Sequence, residues 1–373
     1  MIRVLNIISD TNIGGAGRVV LNYLKYADRS RFETLVALPR GSLLKPLIEK
    51  AGVRAIEIDG IADRSYHRED VRALKRMLRQ IKPSLVHTHG CLSGRIAARQ
   101  CGIPAVYSRH SAFPVSPKLK YPPGRWVNKF VNERYARQII AVSPATRDNL
   151  VEGGISPNKI TVVFNGVAPV TRTAPEVQAA LKHELELPAD VLVFGILARL
   201  EDYKGHLCLV EAAKLLRERG RTGFVVLVAG TGPFEGQLTR AVEEAGMRDT
   251  VRLLGFRSDV AQLLNILDVQ LNASYGTEAT SMALLEGMSL GLPTIASDYG
   301  GNPWVVEDGK SGLLFPSQNA QALAGAMERL MDHPEERHVM GERARRIYEE
   351  RFTGEIFAQN IENIYLDILK GAK

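Results

Sequence analysis

Two glutamates eight positions apart, Glu278 and Glu286, stand in Tyr275-Gly-Thr-Glu-Ala-Thr-Ser-Met-Ala-Leu-Leu-Glu-Gly-Met-Ser-Leu-Gly-Leu-Pro293, where a strand–loop–helix unit is expected. Along a helix, eight residues span about 12 Å. That exceeds the roughly 5 to 9.5 Å between the paired carboxylates of a glycosidase. The spacing suits two distant hydroxyl groups on one extended ligand better than two sides of one bond. Glu286 has Leu284, Leu285 and Met288 as neighbours. Its carboxylate must therefore lie at the helix edge, be paired, or hold a ligand.

Arg199 and Lys204 follow a predicted strand in Ala198-Arg-Leu-Glu-Asp-Tyr-Lys-Gly205. A guanidinium fork and an ammonium point charge ahead of a helix can clamp a diphosphate. The plainer alternative pairs Arg199 with Glu201 or Asp202. Two glycine-rich strand-to-helix turns, Asn12-Ile-Gly-Gly-Ala-Gly17 and Val228-Ala-Gly-Thr-Gly-Pro233, add Gly14, Gly15, Gly17, Gly230 and Gly232 as candidates. Glycines there let backbone N–H groups approach a phosphate, and they equally serve a tight turn. The first loop departs from the dinucleotide fingerprint, with Ala16 or Val20 in place of a glycine. Pro39-Arg40 also stands where the acid after the second strand belongs. His110 closes the polar cluster Tyr107-Ser-Arg-His110. His87 and His89 sit at another strand end, where histidines often only support the fold.

The elements that must position these groups alternate regularly. Strands are predicted at Val4–Ile8, Glu33–Leu38, Ala55–Ile58, Leu85–His89, Ala105–Ser108, Gln138–Val142 and Thr161–Phe164. Helices are predicted at Arg18–Tyr26, Leu43–Ala51, Arg68–Ile81 and Leu92–Cys101, with Ser143-Pro144 opening another. After a proline-rich stretch, Val167–Asp190, expected to carry one short helix, the rhythm restarts. Strands are expected at Val191–Leu197, Phe224–Ala229, Val251–Leu254, Val269–Asn272 and Thr294–Ala296. Helices are expected at His206–Glu218, Glu235–Ala245, Val260–Ile266, Ser281–Leu290 and Ala320–Met331, then Pro334–Arg351 and Ile356–Leu369. The fold class is α/β, with two Rossmann-like, doubly wound domains facing across a cleft. Residues 1–166 form the first and 191–351 the second. Residues 167–190 connect them, and 352–373 supply a helix able to pack back on the first domain.

No apolar run among the 373 residues reaches the roughly 18 to 20 needed to span a bilayer. No signal peptide is read at the N-terminus. Cys91, Cys101 and Cys208 fit neither a disulfide framework nor a zinc pattern, which points to a reducing cytoplasm. The net charge of +7 is uneven. Through Val170 there are 27 lysines and arginines against 12 acids (+15), leaving 21 against 29 (−8) in the remainder. Nucleic acid, an anionic membrane or ordinary solvated side chains can each account for the basic half. RNA-binding and zinc-finger patterns are absent, so no nucleic-acid partner is expected.

Taken together, the motifs resemble the retaining GT-B glycosyltransferases of family 4. The resemblance rests on E-x7-E followed by G-L-P, on Arg199 and Lys204 with K-G, and on the N-terminal G-G-A-G. It rests also on Asn165-Gly-Val167, and on Gly300-Gly-Asn-Pro303 with Asp308-Gly and Gly312-Leu-Leu, in the family's order along nearly the whole chain. It implies sugar transfer from a nucleotide-sugar, a UDP-sugar above all, to a glycan or lipid-linked acceptor with retention. Glu278 would contact sugar hydroxyls and Glu286 the ribose diol. Arg199 and Lys204 would stabilise the departing diphosphate, with Gly14 to Gly17 enclosing it from the opposite wall. His110 would lie near sugar and acceptor, and Asn165 at the hinge side. The chain reads Glu278-Ala279-Thr280-Ser281 before Met282, where the family more often has E-G-F-G. The backbone there can still face the donor, while the altered side chains bear on which sugar it carries. No D-x-D motif is present, and no metal or other cofactor is implied. A GT-B sugar-nucleotide epimerase and a basic nucleic-acid-binding protein are the alternatives.

One segment the motifs leave over is Lys118-Leu-Lys-Tyr-Pro-Pro-Gly-Arg-Trp-Val-Asn-Lys-Phe-Val131. Its cations alternate with Tyr121, Trp126 and Phe130, a mix suited to charged headgroups and acyl chains. It makes an anionic membrane surface a candidate partner of the N-terminal half, with the protein peripheral on the inner face. The alternative packs those aromatics inside the domain beside a soluble acceptor.

Overall fold

The computed structural model describes residues 1–371, which fall into two compact units. The first takes in Met1–Gly166 and the chain from Thr353, the second Val167–Phe352. The strands of the first are β1 (Ile2–Ile8), β2 (Phe32–Pro39), β3 (Arg54–Ile58), β4 (Leu85–His89), β5 (Ala105–Arg109), β6 (Gln138–Ala141) and β7 (Ile160–Val162). They form one parallel sheet in the order β3-β2-β1-β4-β5-β6-β7. The second unit holds β8 (Leu192–Leu197), β9 (Phe224–Ala229), β10 (Val251–Gly255), β11 (Val269–Asn272), β12 (Thr294–Ser297) and β13 (Gly312–Phe315). Their order is β10-β9-β8-β11-β12-β13, again all parallel.

Both sheets are doubly wound, and the sequence dictates it. Helices on both faces require strands that are apolar on both sides, and Val4, Leu5, Ile7 and Ile8 of β1 are all fully buried. Each helix then needs one apolar stripe. In Arg68–Ile81 the buried Val71, Leu74, Met77 and Leu78 recur at helical spacing. In both sheets the strand order reverses beside the first strand, between β1 and β4 and between β8 and β11. The carboxyl ends at such a switch point are where open α/β sheets bind ligands.

Three local expectations are corrected. The helix opened by Ser281 is Met282–Leu290, so Glu278 lies in the loop before it and the 12 Å helical spacing to Glu286 does not apply. The predicted strands omit β13, whose Gly312-Leu-Leu is read from sequence only as part of a motif. The helix Gly124–Tyr135 was missed because it buries none of its residues and so carries no core-facing stripe. The short helix expected in the proline-rich stretch after Val167 is Pro175–Glu184. It is tied to the second unit by Val170 N–H donating to Ser289 Oγ (2.9 Å) and Thr173 N–H to Asn265 Oδ1 (3.0 Å).

The last described helix, Gly354–Lys370, returns to the first unit and packs on Gly15–Tyr26. Tyr365 is fully buried there and bonds His87 Nδ1 at 2.7 Å, while Glu362 accepts from Asp28 N–H at 2.8 Å. A Cβ at Gly354 would stand 2.1 Å from the Tyr26 ring. Gly354→Ala is therefore expected to lower stability by about 1–3 kcal/mol, the usual size of overpacking. Gly325→Ala, on an exposed helix face with nothing within 4 Å of the new methyl, is expected to raise it by up to about 1 kcal/mol. Thermal midpoints that move in the same direction for both variants would contradict this.

Candidate functional site

At the carboxyl edge of the second sheet a buried carboxylate draws three donors to one oxygen. Glu278 Oε2 accepts from Lys204 Nζ (2.9 Å), Ser274 Oγ (2.9 Å) and Asn272 Nδ2 (3.2 Å). The Glu278 side chain is 7% exposed and that of Lys204 20%. An unpaired charge so deep would be strongly destabilising, so the ion pair and its two neutral donors act as a unit.

The surrounding backbone is built to bring these groups together. Gly205, at φ +74°, ends the turn that carries Lys204, and a Cβ there would lie 2.0 Å from the Ala273 carbonyl oxygen. Tyr275 N–H donates to Tyr203 O at 2.8 Å, clipping that turn to the loop that carries Glu278. From the other side Gly301 N–H donates to Glu278 O at 2.9 Å. Gly230 and Gly232 close against the turn after β8, where side chains would meet the carbonyls of Ala198 and Leu200.

The remaining predicted residues of this unit are placed less uniformly. Arg199 does not join the Lys204–Glu278 cluster. Its side chain is 71% exposed and bonds Glu201 Oε1 at 2.5 Å, the plainer of the two arrangements expected. Ala279 and Thr280 are buried, while Ser281, Met282 and Glu286 are half-buried. Ser281 is the N-cap of Met282–Leu290 without a side-chain cap bond. Asn272 and Ser274 were overlooked by sequence reasoning, although a signal existed. Gln270, Asn272 and Ser274 alternate along β11 and its extension, a period of two polar residues in a strand whose neighbours are apolar.

In the first unit the polar groups gather at the ends of β1, β4 and β5. His87 bonds Tyr365 Oη and Ser108 Oγ, each at 2.7 Å. His89 Nδ1 meets His110 Nε2 at 2.8 Å, and His89 Nε2 meets Asn6 Oδ1 at 3.1 Å. Asn165 lines the same small cavity as Asn6, His89 and His110. Thus His89, a weaker candidate, is the direct partner of His110. The glycine loop divides. A Cβ at Gly17 would lie 2.7 Å from Leu44, so that glycine serves packing, whereas nothing stands within 4 Å of one at Gly15. Asp10, whose carboxyl is pushed up by burial and by nearby Asp63, lies beside Gly14. Two carboxylates there favour a hydroxyl-bearing neighbour over a phosphate.

Among the described residues no group of three or more histidine, cysteine, aspartate or glutamate side chains could hold a metal ion. Nor is any helix long and apolar enough to cross a membrane.

The chain matches two family models, Glycosyltransferase Family 4 over residues 13–170 and Glycosyl transferases group 1 over residues 177–347. It is 27% identical over 374 residues to an Escherichia coli UDP-Gal:alpha-D-GlcNAc-diphosphoundecaprenol alpha-1,3-galactosyltransferase, covering 96% of this chain and 95% of that one. A D-inositol 3-phosphate glycosyltransferase of Kineococcus radiotolerans is 30% identical over 70% of this chain and 66% of its own. Among solved structures, a glycosyltransferase from Rickettsia africae superposes with a TM-score of 0.87 at 21% identity, covering 99% of each chain. Anabaena HepE in complex with UDP gives 0.85 at 22% identity, over 98% of this chain and all of that one. At those identities the superpositions establish the fold.

The buried histidines make stability depend on pH. Burial, the largest cause in each case, lowers His87 to about 3 and His110 and His206 to about 4. Unfolded histidines titrate near 6.5. As pH falls from 6.5 toward 4 the unfolded chain therefore binds protons that the folded chain refuses. Stability is full above 6.5 and declines below it, by up to about 1.4 kcal/mol per pH unit for each such histidine. Urea midpoints measured at pH 7, 6 and 5 should drop in that order; a flat series would show that these histidines titrate normally.

Proposed function

The chain is a GT-B glycosyltransferase related to the Glycosyl transferases group 1 and Glycosyltransferase Family 4 families, and from that premise we propose that it transfers a sugar from a UDP-sugar to a glycan or lipid-linked acceptor with retention. The observation that carries the reading is the Lys204–Glu278 cluster at the switch point of the second sheet. A donor whose leaving group is a diphosphate needs a fixed cation there, and its sugar hydroxyls need a carboxylate. The cluster supplies both, and Lys204 turns from Glu278 toward the phosphates as charge develops on them. Arg199, whose side chain is 71% exposed on the neighbouring turn, is assigned an exchange of Glu201 for a phosphate. Backbone N–H groups at the start of Met282–Leu290 add to the same field, with Ala279, Thr280 and Ser281 lining the approach. Glu286, four residues into that helix, is assigned the ribose diol. Gly230 and Gly232 keep side chains out of the nucleotide's path, and Asn165 and His110 attend the sugar.

UDP is favoured because the E. coli relative is named for UDP-Gal and HepE was solved with UDP. A lipid-linked acceptor is favoured by the diphosphoundecaprenol in the name of that relative. Turnover of UDP-sugars is expected to survive EDTA and to fall about 10²-fold or more in Lys204→Ala, the usual size of losing one preorganised donor. Complete loss in EDTA with rescue by magnesium or manganese would contradict the role given to Lys204. In calorimetry Glu286→Gln should weaken UDP binding; unchanged affinity would remove the ribose assignment.

The acceptor's address follows from the first unit, which we place on the cytoplasmic face of an anionic membrane. Helix Gly124–Tyr135 leaves Trp126 (66%), Val127 and Phe130 (64%) exposed, with Tyr121 and Leu119 just before it. Lys118, Arg125 and Lys129 are exposed beside them, while Lys120 is engaged by Glu152 at 2.7 Å. The helix is held from its other side by polar bonds, Asn128 Nδ2 to Gly153 O (2.7 Å) and Arg95 to Asn132 Oδ1 (2.8 Å). Aromatic rings beside cations fit an interface in which each basic residue adds about 1 kcal/mol. In flotation the protein should rise with anionic vesicles, and replacing Trp126 and Phe130 by serine should release it. Equal recovery with neutral vesicles would exclude this address.

A further inference from the structure

The polar layer of the first unit carries a hydrogen-bond chain with a direction. Asn6 Oδ1, 3.1 Å from His89 Nε2, can only accept, so His89 Nε2 holds the hydrogen. Burial drives His89 well below the ordinary histidine range, which keeps the ring neutral and leaves Nδ1 a lone pair. That lone pair faces His110 Nε2 at 2.8 Å, which must then be N–H. His110 is lowered by burial and next by Arg109 to about 4, so it too is neutral. Its other nitrogen, Nδ1, is left as an acceptor, buried and without a partner. Asn6 Nδ2 and Asn165 Oδ1 are also buried without partners, and all three residues line one cavity of about 10 Å³.

We propose that Asn6 and His89 are positioning residues that lock His110 in its Nε2–H tautomer, so that Nδ1 accepts a hydrogen bond from a hydroxyl group seated in this cavity. The volume holds about one oxygen atom. One donor and two acceptors, all neutral, match a hydroxyl, which donates and accepts at once, and supply no charge to offset a buried carboxylate or ammonium. His87 takes no part, since Tyr365 and Ser108 occupy both its nitrogens. The proposal rests on the reading that His110 attends the reacting sugar, and it adds what sets the state of that ring.

The test is nitrogen-15 NMR of histidine-labelled full-length protein at neutral pH, through the two-bond correlations that distinguish ring tautomers. His110 is expected to show a protonated Nε2 and a bare Nδ1. Asn6→Leu should turn that single tautomer into a mixture and lower kcat about tenfold or more, with the donor KM within about twofold. Asn6→Asp keeps the accepting oxygen and should restore both. Addition of UDP-sugar alone should move the His110 Nδ1 resonance if the hydroxyl belongs to the donor. A shift that appears only with acceptor present assigns it to the acceptor. A protonated Nδ1 in the parent protein, an unchanged tautomer in Asn6→Leu, or no shift with either substrate would overturn the proposal. Wild-type turnover in His110→Ala, with the parent's tautomer as expected, would instead refute the reading on which it rests.

Discussion

A carboxylate taken out of water must be met by partners, and in the second unit that demand organises everything around Glu278. One oxygen gathers an ammonium from the turn after β8, and an amide and a hydroxyl from β11 and its extension. To reach it, the turn carrying Lys204 must lie against Ala273 and the loop after β12 must lie against Glu278 itself. Neither approach tolerates a Cβ, which accounts for Gly205, Gly300 and Gly301. The glycines of this edge are thus consequences of a buried charge before they are anything to a ligand. A preorganised ion pair is also a reserve of field. A substrate that offers Lys204 a better anion and Glu278 a better donor meets groups already oriented, with little reorganisation required.

The first unit answers the same constraint in the opposite way. Its buried histidines give up their charge instead of pairing it, since burial holds His87, His89 and His110 neutral. Neutral rings linked in series read the direction of hydrogen bonds. The second unit thus pairs its buried carboxylate with an ammonium, while the first keeps its buried imidazoles neutral.

Much of this was legible in the residues. Apolar runs of strand length alternating with amphipathic stretches disclosed both sheets, because strands buried on two faces can hardly be written otherwise. Lys204 and Glu278 could be read from their strand ends, but not that they touch, since 74 residues separate them. The pairing of His89 with His110 was hidden for the same reason, as the register of β4 against β5 decides it. Gly124–Tyr135 escaped because its apolar residues point away from the core, so the pattern that reveals a packed helix was missing. Reading Glu278 and Glu286 along one helix failed at the helix start, where Ala279 to Ser281 stay extended or turned to let Gly300 and Gly301 pass.

The return of Gly354–Lys370 to the first unit bears on how the molecule is made. A ribosome delivers Met1–Gly166 first, then the 186 residues of Val167–Phe352, and only afterwards the helix that covers His87 and Helix Gly15–Tyr26. At about 5–20 residues per second that interval is roughly 10 to 40 s. Throughout it Tyr23 and Phe32, both ring neighbours of Tyr365, lack that partner. The second unit, contiguous in the chain, can complete itself before the first. The unit whose strands are made first is therefore the one whose last layer is made last.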